Sequence, residues 1–226
     1  MRKILALTAF MAAVAAGARA DLLEVSGFGG YTSVGMKDVN NFINNRPAGT
    51  TTTDISNGYV AGLDVRTGAL IPVPFLEIGL RGEYVGANTG EVKDSIIDIK
   101  DSPSMMDGML GLSFGMDIPA TGLGLGLGIY GGYGEGAIQH SRTMTILGSS
   151  ATTTDYYSGG AFIGEAEARV KYKLISILNI YAFGGWRMAN LGTFEDSAKN
   201  KFGAANNNHS VDFSGATGGL GINLDF

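Results

Sequence analysis

Apolar and polar residues alternate with period two along most of the 226-residue chain, and helical periodicity is rare. The alternation predicts eight strands: 22–35, 58–70, 75–87, 106–118, 122–136, 156–173, 178–190 and 210–226. Three connections are tight, at Ile71–Pro74, Pro119–Thr121 and Leu174–Ile177. Four are long, at 36–57, 88–105, 137–155 and 191–209, and long and short strictly alternate.

The two faces of these strands differ in chemistry. In 58–70, Tyr59, Ala61, Leu63 and Val65 oppose Asp64 and Arg66; in 75–87, Leu76, Ile78, Leu80 and Tyr84 oppose Glu77, Arg81 and Glu83. In 156–173, Phe162, Ala166, Ala168, Val170 and Tyr172 oppose Glu165, Glu167, Arg169 and Lys171, and in 178–190 Ile180, Ala182 and Trp186 oppose Arg187. One face is uncharged along the strand centres, as a lipid-facing surface must be when a mid-depth charge costs about 2–4 kcal/mol. On that face Tyr31, Tyr59, Tyr84, Tyr133 and Tyr156, with Trp186, fall beside long loops, and Tyr172 and Phe226 fall at the opposite height. Two aromatic girdles are what two membrane interfaces require. The expected fold is all-β: an eight-stranded antiparallel up-and-down transmembrane β-barrel with short periplasmic turns and long extracellular loops. Alternation alone also fits a soluble lipocalin barrel, but the neutral face, the girdles and the terminal Phe226 favour the membrane.

The N-terminus places the barrel in a compartment. Arg2 and Lys3, the apolar run Ile4–Ala16 and Ala18-Arg19-Ala20 read as a secretory signal peptide over residues 1–20, cleaved between Ala20 and Asp21. The mature domain is then 21–226, with 13 basic against 21 acidic residues once Arg2, Lys3 and Arg19 are lost. That acidity argues against nucleic acid as a partner. The chain has no Cys, which excludes disulfides, thiolate metal sites and Cys nucleophiles, and its two His make a His-built metal site improbable. Gly is frequent, 36 of 226 residues against a usual ~7%. In 122–136, Leu123, Leu125, Leu127 and Ile129 alternate with Gly124, Gly126 and Gly128, leaving inner space for the long side chains of the neighbouring strand. The G-x-G-x-x-G at Gly126–Gly131 keeps strand parity and precedes no helix, so it does not read as a dinucleotide loop.

The signal peptide, the eight alternating strands, the order of loops and the last strand Gly219–Phe226 together resemble the small outer-membrane β-barrel superfamily, which includes the OmpA transmembrane domain, OmpX and OmpW types. The resemblance covers the mature chain and is architectural. It implies location in the bacterial outer membrane and export through the Sec translocon. It also implies that Leu220, Ile222, Leu224 and Phe226 form the C-terminal signal read by the barrel-assembly machinery, a role compatible with Phe226 as a girdle aromatic. Some small outer-membrane barrels are lipid A deacylases using Ser, His and a carboxylate, and His140-Ser141 invites the comparison. Sequence neighbours on a strand point to opposite faces, and no acid near His140 is apparent, so no catalytic, metal or cofactor site is expected. His209 reads as a solvated loop residue.

The inward charges are Asp64, Glu77, Glu83, Glu165 and Glu167 against Arg66, Arg81, Arg169, Lys171 and Arg187. An eight-strand interior is just filled by side chains, so five acids with five bases read first as a salt-bridge plug and second as a polar conduit or gate. Counting back from the tight turns places Asp64 opposite Arg81 and Glu165 opposite Arg187. In the first long loop Met36, Val39, Phe42 and Ile43 fit one helical face, either capping the barrel or lying on the membrane, and a simple anchored loop fits equally. Thr50–Thr53 and Thr152–Thr154 suit strands continuing above the membrane. Glu91, Asp94, Asp98 and Asp101 with Lys93 and Lys100 make an acidic loop, a solvated hairpin or a loose cation site. The expectation is a monomeric, non-enzymatic barrel in outer-membrane lipid, with a structural or surface-interaction role through its extracellular loops and an unidentified extracellular ligand. The alternative is a narrow OmpW-like or porin-like conduit for small solutes.

Overall fold

The structure, a computed structural model, describes residues 23–44, 49–70, 73, 75–203 and 210–226. The expected signal peptide at 1–20 with its Ala20–Asp21 junction, and His209, lie outside these residues. In chain order the elements are β1 (Glu24–Ser33), helix α1 (Lys37–Asn44), β2 (Thr51–Thr53), β3 (Asn57–Thr67), β4 (Leu76–Ala87), β5 (Gly90–Lys93), β6 (Ile97–Ile118), β7 (Leu123–Ile146), β8 (Ser149–Ile175), β9 (Leu178–Met188), β10 (Asn190–Thr193), β11 (Ser210–Asp212) and β12 (Gly215–Asp225). Eight of them close a ring, β1-β3-β4-β6-β7-β8-β9-β12, with every neighbouring pair antiparallel and β12 pairing back onto β1. Closure satisfies the backbone of the membrane-spanning part internally, as a bilayer demands.

The alternation sorts the residues radially. Leu63, Leu80, Leu110, Leu127, Ile129, Leu220 and Ile222 are exposed on the outside, while Asp64, Arg81, Glu165 and Arg187 are buried inside. The registers set Asp64 opposite Arg81 and Glu165 opposite Arg187. The glycines make room for inward aromatics. A Cβ on Gly111 would sit 2.2 Å from the Tyr130 ring and one on Gly128 2.7 Å from it, so that ring lies flat along the wall. The backbones of β1 and β12 also approach closely: a Cβ on Gly30 would meet the Gly218 carbonyl at 2.2 Å.

Two of the four long loops are not loops. The stretches 88–105 and 137–155 are largely strand: β6 begins at Ile97, β7 runs on to Ile146, and β8 begins at Ser149. Leu147 and Gly148, both with positive φ (51° and 82°), form the two-residue turn that joins β7 to β8. Lipid-facing alternation ends at the rim, but main-chain pairing does not need lipid and continues above it. Pro103 falls where β4 hands over to β5 along β6, a stretch with no ladder on that side among the described residues, which is where a residue without N–H is tolerated. The predicted strands 178–190 and 210–226 are each interrupted, giving the separate β10–β11 pair.

Candidate functional site

Three features above and within the barrel bear on function: the lumen, its cap, and a sheet projecting from the rim. In the lumen, β3, β4, β8 and β9 each contribute inward charges through their alternation. Arg81, 1% exposed, lies 2.7 Å from Glu165, 3.1 Å from Glu167, 3.3 Å from Asp64 and 3.5 Å from Glu83. Its guanidinium stacks 3.7 Å over the Tyr130 ring and 5.3 Å from that of Phe28. Arg187 pairs with Glu83 and, at 2.9 Å, with Glu165. Arg169 pairs with Glu167 and, at 2.7 Å, with Asp64. Below them Arg66 reaches Glu24 (2.7 Å), Asp64 (3.0 Å) and Glu77 (3.6 Å), and Lys171 reaches Glu24 and Asp225, both at 3.5 Å. The ten inward charges read from sequence therefore form one connected network.

The lumen also holds carboxylates outside the ten charges expected from the sequence. Glu24 is a buried hub at its lower end, and Asp107 faces Glu83 across the β4–β6 register. Among the described residues the inward carboxylates thus outnumber the five cations, since Asp225, which Lys171 reaches, also belongs to the set. Both acids were accessible from parity: Tyr31 outward places Glu24 inward, and Met106 outward places Asp107 inward. Below the network is a cavity of about 50 Å³ lined by Glu24, Arg66, Glu77, Asp117 and Lys171, which is room for a water molecule or two.

Above the lumen the inner face turns apolar. Val60, Val85, Met105 and Ile138 on the staves meet Met36, Val39 and Ile43 from the α1 segment, Ile55, Leu191, Phe194 and Phe202 from the fourth loop, and Val211 and Phe213 just beyond it, all buried. Helix α1 caps the mouth, with Phe42 half-buried near Phe202 (6.2 Å between centroids). The Asn40 side chain holds Ile55 by both main-chain groups, at 2.8 Å each, and Asn88 accepts from the N–H groups of Ser56 and Asn57. A Cβ on Gly136 or Gly159 would strike the Phe194 ring at 2.6 or 2.5 Å; these glycines are the sockets of the cap.

Beyond the rim, β6, β7 and β8 continue as a three-stranded arm. Its outer face carries hydroxyl pairs, Ser141–Thr154 (3.3 Å), Thr143–Thr152 (2.9 Å) and Thr145–Ser150 (2.9 Å). At the β5–β6 tip the Asp94 carboxylate accepts the N–H groups of Ile96 (2.7 Å) and Ile97 (2.6 Å), which holds it below the usual carboxylate range. In the acidic hairpin Lys100 reaches Glu91 at 3.5 Å and Asp98 at 3.6 Å. His140 does have an acid beside it, contrary to the sequence reading: buried Asp101 lies 2.7 Å from its Nδ1. Ser141 faces away from that pair, toward Thr154.

On the outside, Tyr31, Tyr59, Tyr84, Tyr133 and Trp186 are exposed at the upper height, joined by Phe162 in edge contact with Tyr133 (5.9 Å). Tyr172 and Phe226 are exposed at the lower height, joined by Phe114. Tyr156 is exposed but stands apart from the upper ring. It pairs with Gln139, six residues beyond Phe162 on β8, which is roughly 20 Å further along the strand. Leu220, Ile222, Leu224 and Phe226 all point outward.

A closed eight-strand ring, an apolar exterior with aromatic rims and a charged interior define the class: this is a small transmembrane β-barrel. No protein-family model matches the sequence, and no curated protein matches it. Among solved structures it is similar to the Neisserial surface protein NspA (11% identity, TM-score 0.44, covering 92% of this chain and 99% of that one). It is also similar to OprG of Pseudomonas aeruginosa (13%, 0.46, 92% and 97%) and to the attachment invasion locus protein Ail of Yersinia pestis (13%, 0.44, 90% and 98%).

Proposed function

We propose that this chain is a closed, non-enzymatic barrel, monomeric in its own membrane, whose work is done outside the membrane by the surfaces of the arm and cap. The observation that carries the reading is the double closure: an ionic network across the lumen, centred on the buried Arg81 and Arg187, beneath an apolar core that covers the extracellular mouth. The polar lumen serves as structural filling, and its opposed charges fix strand register. Export through the Sec translocon with loss of residues 1–20, and insertion by the barrel-assembly machinery through Leu220, Ile222, Leu224 and Phe226, complete the reading.

Planar-bilayer recording of the refolded protein tests it. The parent gives no discrete openings, and Phe194→Ala, which loosens the cap alone, gives none either. Resolved, selective openings in the parent overturn the reading in favour of a narrow solute conduit. Replacing 141–154 by an Asn-Gly turn leaves a folded barrel, because those residues pair only within the arm, and abolishes surface binding.

A further inference from the structure

The arm has two edges, and they are treated differently. Along β6 the edge is covered, first by β5 and then by β2. Along β8, residues Ser149–Tyr156 are all exposed and, among the described residues, pair on one side only, with β7. Further down that edge, Ser158 exchanges both main-chain hydrogen bonds with Glu195 (2.9 and 3.0 Å). Strand parity then turns the N–H and C=O groups of Ser150, Thr152, Thr154 and Tyr156 the same way, outward. The close hydroxyl pairs that Ser150, Thr152 and Thr154 make with β7 agree, since side chains approach most nearly in non-hydrogen-bonded pairs. An edge of this kind is ordinarily blunted by Lys, Pro or a bulge. This one has none of them, and its single charge is Asp155.

We propose that this edge pairs with the same edge of a second copy of the chain, in an opposing membrane. The inference rests on the reading of the arm as the working surface and names its partner. Antiparallel pairing about Thr153 sets Thr152 against Thr154 and Ser150 against Tyr156, so every outward main-chain group is used, in about eight hydrogen bonds. In that register Asp155 faces Ala151 rather than another carboxylate, so no like charges meet. The two-fold axis relating adjacent antiparallel strands is perpendicular to their sheet. The arm rises from the membrane, so this axis lies parallel to the membrane plane and inverts one copy relative to the other. Two copies upright in one membrane run β8 in the same direction and cannot form this pairing. The edge therefore joins surfaces that face each other.

Cysteine placement reads the register directly, because the chain has no Cys. Thr153 lies on the axis in a non-hydrogen-bonded pair, at a spacing a disulfide accepts. Two populations of proteoliposomes carrying Thr153→Cys, one tagged and one untagged, should cross-link on mild oxidation when mixed, whereas Thr152→Cys should not. Thr152→Pro removes an outward N–H and leaves the β7 ladder intact; it should slow vesicle aggregation about tenfold or more, two of the eight bonds being lost. Thr153→Asp keeps the backbone unchanged, sets two carboxylates face to face across the axis and should do the same. Heat-modifiable mobility shows that each variant is folded. Equal cross-linking by both Cys variants, cross-linking confined to one vesicle population, or aggregation indifferent to Thr152→Pro and Thr153→Asp would each overturn the pairing. If cross-linking fails while excision of 141–154 still abolishes binding to other surfaces, the homotypic partner is wrong and the arm as working surface stands.

Discussion

Removing Arg81 tests whether the lumen is a connected ionic core or a set of independent pairs. Arg81→Ala deletes a guanidinium that contacts four carboxylates and stacks between two rings. Breaking a buried pair by removing one partner costs about 3–5 kcal/mol. Each of the four acids keeps another cation: Asp64 keeps Arg66 and Arg169, Glu167 keeps Arg169, and Glu83 and Glu165 keep Arg187. The cost therefore falls at the lower end, about 3 kcal/mol. Asp64→Ala strips one partner from each of three arginines, and the double variant restores part of the balance. A coupling of about 1–2 kcal/mol between Arg81 and Asp64 is expected, within the range for residues sharing one network. Urea titration of protein refolded in lipid vesicles, followed by the shift between folded and unfolded mobility on unboiled gels, gives the four free energies. Additive singles, or a loss below about 1 kcal/mol for Arg81→Ala, would mean that the side chain is solvated or that the network is not continuous. Arg81→Ala alone should not conduct, because the cap remains; Arg81→Ala with Phe194→Ala should.

Asp107→Asn should be neutral or stabilising by about 0.5–1 kcal/mol, since the carboxylate faces Glu83 and has no ion-pair partner among the described residues; a loss above that in the same titration refutes the assignment. Deleting Phe226 should reduce outer-membrane assembly in cells far more than deleting Ser197, which equal heat-modifiable yields would contradict. The stabilisation of the β5–β6 tip by Asp94 is complete above the ordinary carboxylate pKa near ~4 and is lost as pH falls through the lowered value of the folded state. The Ile96 and Ile97 amides should lose protection over that acid range, and amides indifferent to acid there would refute the cap.

The membrane-spanning part was legible because lipid imposes a strict rule on one face: Leu63, Leu80 and Leu127 could not be exchanged with Asp64, Arg81 or Glu167 without burying charge in hydrocarbon. The same rule failed above the rim. His140, Ser141 and Arg142 looked like loop residues because their alternation no longer separated apolar from charged, yet they sit in an unbroken ladder. Helix α1 was foreseeable from Met36, Val39 and Ile43, but what it covers was not, since its partners Phe194, Phe202 and Phe213 lie some 150 residues away in sequence. Asp101 beside His140 was missed for the same reason: thirty-nine residues separate them, and only the β6–β7 register brings them together.

The cap joins the two ends of the barrel's history. Residues 36–43 follow the first stave, Phe202, Val211 and Phe213 precede the last, and they meet in the cap, where the Asp38 carboxylate accepts the N–H of Ser210. Synthesis delivers α1 early, but the part of its cover that comes from Phe202, Val211 and Phe213 arrives only with the last staves. A chain stalled before its last strand thus displays a half-covered helix and an unpaired β1 together. Once β12 zips onto β1, both vanish at a single step. The glycine-lined β1–β12 seam is thus tied at its outer end by the segments that flank it, Asp38 holding Ser210.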